Sequence, residues 1–332
     1  MGRCGVAREL GPRRRVRHAR VVVPSHDCRS FSAEETNSRH LQYSSSPNKW
    51  QERGTRKMSH SSARINAIGA TLPAGPSNED RYCIQANFAI VLDGASAFRA
   101  VHPSVSQYVD ALLKHLRIQL LSSQYDHDTA RLVRTAINST VSELRLTRET
   151  TPASTVNICR RIGGSWYMYL LGDSPSVVVM SDHEVKTFVD ERLVLATGRH
   201  LEGYQNRLSI GTGFDAQHFD MLRRMQEHQY LVRNSDAGYW IAADDPDAAD
   251  RGIRIELPTD DALAIFMCSD GAFESVARID DFGWVQAVNS TESTLMGLLE
   301  RAHTLEIMDP EGMLYPRAKI HDDKTILLVR DS

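Results

Sequence analysis

The run Phe88-Ala89-Ile90-Val91-Leu92 is apolar without interruption and ends in Asp93-Gly94-Ala95-Ser96. Such a run, bounded by turn-forming residues, predicts a short strand buried on both faces, so the chain must fold with this segment inside a sheet. The design recurs far downstream, where Ala262 to Met267 leads through Cys268-Ser269 to Asp270-Gly271-Ala272. A carboxylate at the exit of a buried strand is held rigidly, and keeping it charged there is unfavourable unless something neutralises it. Two strands aiming acids at one place imply a cation between them.

Neighbouring segments supply more acids. Strands are predicted over 64–71, 81–85 and 88–92, with turn residues at 73–77 and a tight connection at Ala86-Asn87. A turn there pairs Arg81 with Leu92, which makes Asp80 and Asp93 neighbours at the open end of the hairpin. Apolar spacing predicts a helix after Gly94, with Pro103 near its first turn, and a second from about Asp128 to Leu146. Alternation then predicts strands over 154–162, 166–171, 177–180 and 185–189, the second of them leading into Gly172-Asp173. Residues from about 193 to 213 read as irregular, 216–232 as helix, and 234–241 as a turn leading into a short strand. A strand pair at 251–257 and 262–269, a helix pair over 282–307 and a last strand at 325–329, preceded by Asp322-Asp323, complete the chain. With no internal repeat and no linker, residues 61–332 are expected to form one α+β domain of strand blocks separated by helix pairs.

Residues 1–60 differ in kind. They carry 13 Lys/Arg against five Asp/Glu, include Arg13-Arg14-Arg15 and Ser44-Ser45-Ser46, and show little hydrophobic periodicity. Such a segment buries too little apolar surface to offset its ordering entropy, which predicts a basic, disordered extension. Its Arg- and Ser-rich, acid-poor start also has the composition of an organellar transit peptide. A tail upstream of an initiator at Met58 is the plainer reading.

The formal net charge of -3 leaves -11 on the remainder. An acidic body argues against nucleic acid as a partner, because that affinity comes from Lys and Arg neutralising phosphates. It suits a site that gathers divalent cations. Cys4, Cys28, Cys83, Cys159 and Cys268 are scattered with no Cys-x-x-Cys pair, which argues against a disulfide framework and a structural zinc site and for a reducing, cytoplasmic setting. No apolar run approaches the roughly 18–20 residues of a spanning helix, so no membrane is expected. The oligomeric state stays open.

Acids thus stand at five strand edges: Glu79/Asp80, Asp93, Asp173, Asp270 and Asp322/Asp323. Hard cations such as Mg and Mn prefer oxygen ligands, and a pair of them needs several carboxylates. Two such ions activate water and stabilise in-line displacement at phosphorus.

In order and spacing, Asn78-Glu79-Asp80-Arg81, Leu92-Asp93-Gly94-Ala95, Thr151-Pro152-Ala153-Ser154-Thr155, Leu171-Gly172-Asp173-Ser174, Cys268-Ser269-Asp270-Gly271 and Asp322-Asp323-Lys324-Thr325 resemble the protein phosphatase 2C family of metal-dependent serine/threonine phosphatases. The resemblance covers about residues 64 to 330, and Arg233-Asn234 with Gly238-Tyr239-Trp240 is similar to a bacterial-type branch. It implies a four-layer α-β-β-α sandwich, two antiparallel sheets flanked by helix pairs, with two Mg or Mn ions at one edge. Asp93 would bridge both ions, and the Gly94 carbonyl, Glu79, Asp270 and Asp322 would complete the ligand set. Asp80 would orient a water, and Asp173 and Glu274 match positions that hold a third, weaker ion in some members. Asp323 is not expected to ligate, since the family's ligand is the first residue of that pair.

Two departures accompany these matches. Gly75 stands where many members place a phosphate-gripping arginine, and Ala95 where some carry a histidine proposed as general acid. Arg81, Arg99 and His102 are possible substitutes, each more simply read as a surface residue. The implied function is metal-dependent hydrolysis of phosphate monoesters, with a phosphoprotein bearing phosphoserine or phosphothreonine as substrate. The alternatives are a catalytically weak or inactive phosphatase-like binding module and a phosphatase acting on small phosphate esters.

Overall fold

The computed structural model describes residues 19–20, 64–96 and 100–332. One sheet runs β3 (Arg81–Ile84), β4 (Phe88–Leu92), β5 (Val156–Ile162), β6 (Ser165–Leu171) and β9 (Ile253–Pro258) in that order, antiparallel throughout. The other runs β1 (Ala19–Arg20), β8 (Val185–Phe188), β7 (Ser176–Met180), β10 (Ala262–Cys268), β11 (Lys324–Asp331) and β2 (Ile65–Leu72). Its pairs are antiparallel except for two-residue β1, which lies parallel to β8. The extension expected over residues 1–60 otherwise lies outside the described residues.

The inner faces of the sheets meet in a core of Ala89, Val91, Cys159, Met168, Ile265, Met267 and Leu327, with Trp166 wholly enclosed. Strand alternation sends Phe88, Ile90 and Leu92 the other way, against α1 (Val105–Ser122) and α2 (Thr129–Leu144). Both faces of β4 are therefore buried, as its unbroken apolar run requires. The outer face of the second sheet is covered by α5 (Asp270–Val276), α6 (Trp284–Ala287) and α7 (Glu292–Met308), through Phe266, Trp284, Leu295, Leu299 and Leu328. The four layers are thus helices, sheet, sheet, helices.

Local chemistry sets the helix limits. On α1, Val105, Tyr108, Val109, Leu112, Leu116 and Leu120 form one buried stripe. Its first turn is closed by a capping box between Ser104 and Gln107, a device that stabilises a helix by about 1 kcal/mol. Asp128 caps α2 by accepting from the Arg131 amide. Asp215 caps α4 (Ala216–Val232), whose limits match the sequence expectation.

The structure departs from expectation in four places. Residues 192–209 form a helix, α3 (Arg192–Ser209), where an irregular segment was expected. Leu193, Thr197, Leu201, Tyr204 and Leu208 repeat at helical spacing, but Gly198 and Gly203 lower its intrinsic propensity. Packing against α4 through Tyr204, Leu208 and Met225 overrides that deficit. Strands β9 and β10 do not pair: a 3-10 turn at Thr259–Asp261 carries the chain from one sheet to the other. Residues 234–241 form no strand, only an isolated bridge between Arg233 and Tyr239 after Asn234 at φ 52°. Helix α5, which begins at Asp270 itself, had no expectation. Among the described residues, no helix is long and apolar enough to cross a membrane.

Candidate functional site

The hairpin closes as its sequence dictates. Arg81 pairs with Leu92, and Ile84 with Ala89, so Asp80 and Asp93 flank the open end. Thr155 fixes the second acid by accepting from the Asp93 amide at 3.1 Å and donating its own amide to the Asp93 carbonyl at 2.9 Å. Gly94 follows because nothing larger fits: a Cβ there would lie 2.5 Å from Val105 Cγ1 and 2.8 Å from the Glu79 carbonyl oxygen. That close approach brings Glu79 alongside Asp93.

The second strand exit is built alike. The Ser269 amide donates to the Thr325 carbonyl at 3.0 Å, and the Thr325 amide donates to Ser269 Oγ at 2.9 Å, locking β10 to β11 where both reach the edge. A Cβ on Gly271 would lie 2.3 Å from the Asp323 carbonyl oxygen and 3.1 Å from Asp322 Cβ, so glycine allows the two segments to touch. Across the sandwich, the Asp270 amide donates to Asp93 Oδ2 at 3.3 Å. The two strand-end aspartates inferred from sequence therefore meet.

Burial and neighbouring carboxylates perturb Asp80, Asp93, Asp173 and Asp322. Removal from water, then Asp270, Asp80, Asp322 and Asp173, push the Asp93 carboxyl well above its ordinary range. Burial raises Asp80 to about 7 against the lowering effect of the Ser269 and Thr325 hydroxyls. Burial and then Asp270 raise Asp173 to about 7. For Asp322, burial and Asp270 outweigh the Lys319 ammonium and raise it to about 6. Burial also raises Glu79. In each case removal from water is the largest cause, and neighbouring carboxylates add to it.

The adjacent pair Asp322-Asp323 divides its duties. Asp322 Oδ1 accepts from Lys319 Nζ at 2.7 Å and from the Asp323 amide at 3.0 Å. Asp323 accepts the amides of Ala74 at 2.7 Å and Glu79 at 2.6 Å, which ties the 73–79 turn to β11. Both its oxygens thus serve backbone. Glu79 takes a weak contact from Ser96 Oγ at 3.4 Å, and Glu274 sits at the exposed rim beside Asp270 with Arg278 at 3.5 Å.

The suggested substitutes for the missing groups are placed elsewhere. Arg81 turns to Asp110 at 2.7 Å and to the carbonyls of Asn78 and Asp80. His102 is exposed, Arg99 lies outside the described residues, and the space around Gly75 is open. Ala95 packs against Ala153, Tyr239 and Ile241. Burial pushes the thiols of Cys159 and Cys268 above their ordinary range, so neither is poised as a nucleophile.

Two features had no expectation. Lys319 brings an ammonium into the acid edge, and nothing in the surrounding sequence marks it. Behind Asp322, Glu306 accepts from Lys324 Nζ at 2.9 Å, pairs with His321 at 3.0 Å and takes the Ser275 hydroxyl at 2.9 Å. Among the described residues, His303, Glu306 and His321 are the one group of three such side chains whose ligand atoms lie within 4.8 Å of one another. Lys324 already occupies the Glu306 oxygen that would face an ion.

The acid edge itself suits hard divalent cations. Its donors are all oxygen, its carboxyls are short of positive charge, and Asp80 Oδ2 is buried with no hydrogen-bond partner.

No family model and no curated protein matches the chain. Solved structures do. The PPM Ser-Thr phosphatase MsPP from Mycobacterium smegmatis, in complex with cacodylate, aligns with a TM-score of 0.50 at 16% identity, covering 82% of this chain and 100% of that one. The serine/threonine phosphatase Stp1 from Staphylococcus aureus aligns with a TM-score of 0.51 at 12% identity, covering 84% and 99%. Identities this low speak for architecture alone. The order of layers, the sheet topology and these alignments agree that the chain has the α-β-β-α sandwich fold of the bacterial PPM, or phosphatase 2C-type, Ser/Thr phosphatases.

Proposed function

We propose that the protein hydrolyses phosphate monoesters, with phosphoserine and phosphothreonine of proteins as substrates, using Mg or Mn held at the acid edge. The observation that carries this reading is the convergence of Glu79, Asp80, Asp93, Asp270 and Asp322, from four separate strand ends, with far fewer cations than carboxylates among them. In this reading Asp93, the Gly94 carbonyl, Glu79, Asp270 and Asp322 would hold the ions. Asp173 and Glu274, next to Asp270, flank a third and weaker position. When bound, the ions supply Lewis acidity that makes water a competent nucleophile at neutral pH.

The chain's own groups do the positioning. Thr155 fixes the backbone of Asp93, and Asp323 clamps the turn that presents Glu79. Asp80, with a free buried oxygen, accepts a hydrogen bond from the attacking water and aligns it. Ala95 offers no proton to the leaving group, so departure is assisted by groups other than a histidine at that position.

Purified protein supplied with Mn is expected to release phosphate from p-nitrophenyl phosphate and from a phosphothreonine peptide, with release lost on chelation. No metal-dependent turnover on either compound would remove the hydrolytic reading and favour a phosphatase-like binding module. Turnover of p-nitrophenyl phosphate with inert phosphopeptides and phosphoproteins would redirect it to small esters.

A further inference from the structure

Lys319 stands between two environments. Its ammonium donates to Asp322 Oδ1 at 2.7 Å and feels the charges of Asp270 and Asp93, while its own charge reaches Glu79. It also lines an open cleft of about 530 Å³ between α4 and the segment before β11, with Phe219, Leu222, Gln226 and Ile320. Lys319 thus lines the cleft, beside Arg223 and His321, and also touches the acid edge through Asp322.

The backbone that carries Lys319 is firmly held. The Ala318 carbonyl lies 2.8 Å from the buried His218 ring, and the Ile320 carbonyl accepts from Arg317 Nε at 2.9 Å. Arg317 is itself buried, bound to Asp309 at 3.0 Å and to the carbonyls of Glu306 and Asp309. A lysine on such a support presents its charge to a narrow region.

Other cations near the cleft and the acid edge are committed. Arg223 pairs with Asp220 and Glu227 on its own helix, Arg81 with Asp110, and Arg278 with Glu274. Arg233 serves the Thr151 carbonyl and Asp244.

We infer that Lys319 is the phosphate-binding cation of the site: it meets the phosphoryl group of a phosphomonoester entering by the α4 cleft. This inference rests on the phosphoester reading above. With Asp322 holding an ion, part of its charge would be shared with that ion, and the Lys319 ammonium would be free to meet a phosphoryl oxygen. Lysine suits that task as a mobile point charge with three donors.

The test is phosphate binding by the full chain loaded with Mn, measured by calorimetry with inorganic phosphate, beside steady-state release from a phosphothreonine peptide. Lys319→Met is expected to weaken phosphate binding and raise KM by roughly ten- to a hundredfold, the worth of one charge-assisted hydrogen bond. Lys319→Arg is expected to retain most of the affinity. A lysine that merely balances the acids predicts something else: its loss would tighten Mn binding and leave phosphate affinity untouched. Phosphate binding by Mn-loaded Lys319→Met equal to that of the wild type, or no phosphate binding by the wild type, overturns the inference. Lys319-dependent phosphate binding in a wild type that releases no phosphate would instead leave the anion site standing and remove the hydrolytic reading.

Discussion

Two groups of charge lie back to back at the start of β11. On one side Glu306 is matched: burial pushes its carboxyl up, but the Lys324 ammonium and hydrogen bonds from His321, Lys324 and Ser275 outweigh that and hold it below its ordinary range. On the other side Asp80, Asp93, Asp173 and Asp322 are all pushed up, with Lys319 as the cation in contact. Burial is common to both. What separates them is balance: the Glu306 network satisfies itself and braces the fold, whereas the acid edge holds more carboxylates than it has cations to match.

The contrast is open to attack by mutation. Asp93→Asn removes the central carboxylate and is expected to lower Mn-dependent phosphate release by about a thousandfold or more, while the melting temperature holds or rises because one crowding charge is gone. A loss below about tenfold in release would place the chemistry elsewhere. Glu306→Leu leaves the fully buried Lys324 ammonium without its partner and is expected to destabilise by about 3–5 kcal/mol. Adding Lys324→Met should restore most of that in urea melts. Failure of the double variant to recover would show that the network is more than a balanced pair.

The metal-free protein offers a third test, smaller in size. Asp80 and Asp173 have folded values near 7 against ordinary values of 3.8. Raised values mean that their contribution to stability is fully present below about pH 4 and is lost as pH rises through 7. In chelator, the melting temperature should therefore fall between about pH 4 and 7. Mn at a hundredfold over its Kd should stabilise by about 2.7 kcal/mol and flatten that slope. A flat profile in chelator would mean that the acids are not crowded. Smallest of all, Arg81→Ala removes an exposed pair with Asp110 and is expected to cost under about 1 kcal/mol and leave KM for the phosphopeptide unchanged. A large rise in KM would return Arg81 to the site.

Much of this site could be read from the chain because it is built from strand ends. Period-two burial fixes which residues face inward, and a two-residue connection at Ala86-Asn87 fixes the partner of every residue in the hairpin, so Asp80 beside Asp93 followed from counting. The approach of Asp270 to Asp93 was legible only as an echo of the same pattern. What escaped was set by tertiary contact. Helix α3 has the right period but carries two glycines, and its order comes from α4. The separation of β9 from β10 depends on a three-residue turn that sends neighbours in sequence to different sheets. Lys319 had no signal, because a lone lysine before an acidic pair looks like any solvated charge until the fold folds it inward.

Asp322 and Asp323 are chemically the same residue, yet one faces the acid edge while the other clamps the backbone of the 73–79 turn. Their separation depends on the pairing of Lys324 with Leu72 and Thr325 with Thr71, which sets the phase of everything just before β11. Chain length between Arg317 and Lys324 is therefore as much a determinant of this site as side-chain identity. A single residue added or removed there would leave the composition of the edge nearly intact and exchange the places of the two aspartates, so homologous sequences must be aligned by strand phase here, not by the presence of two aspartates.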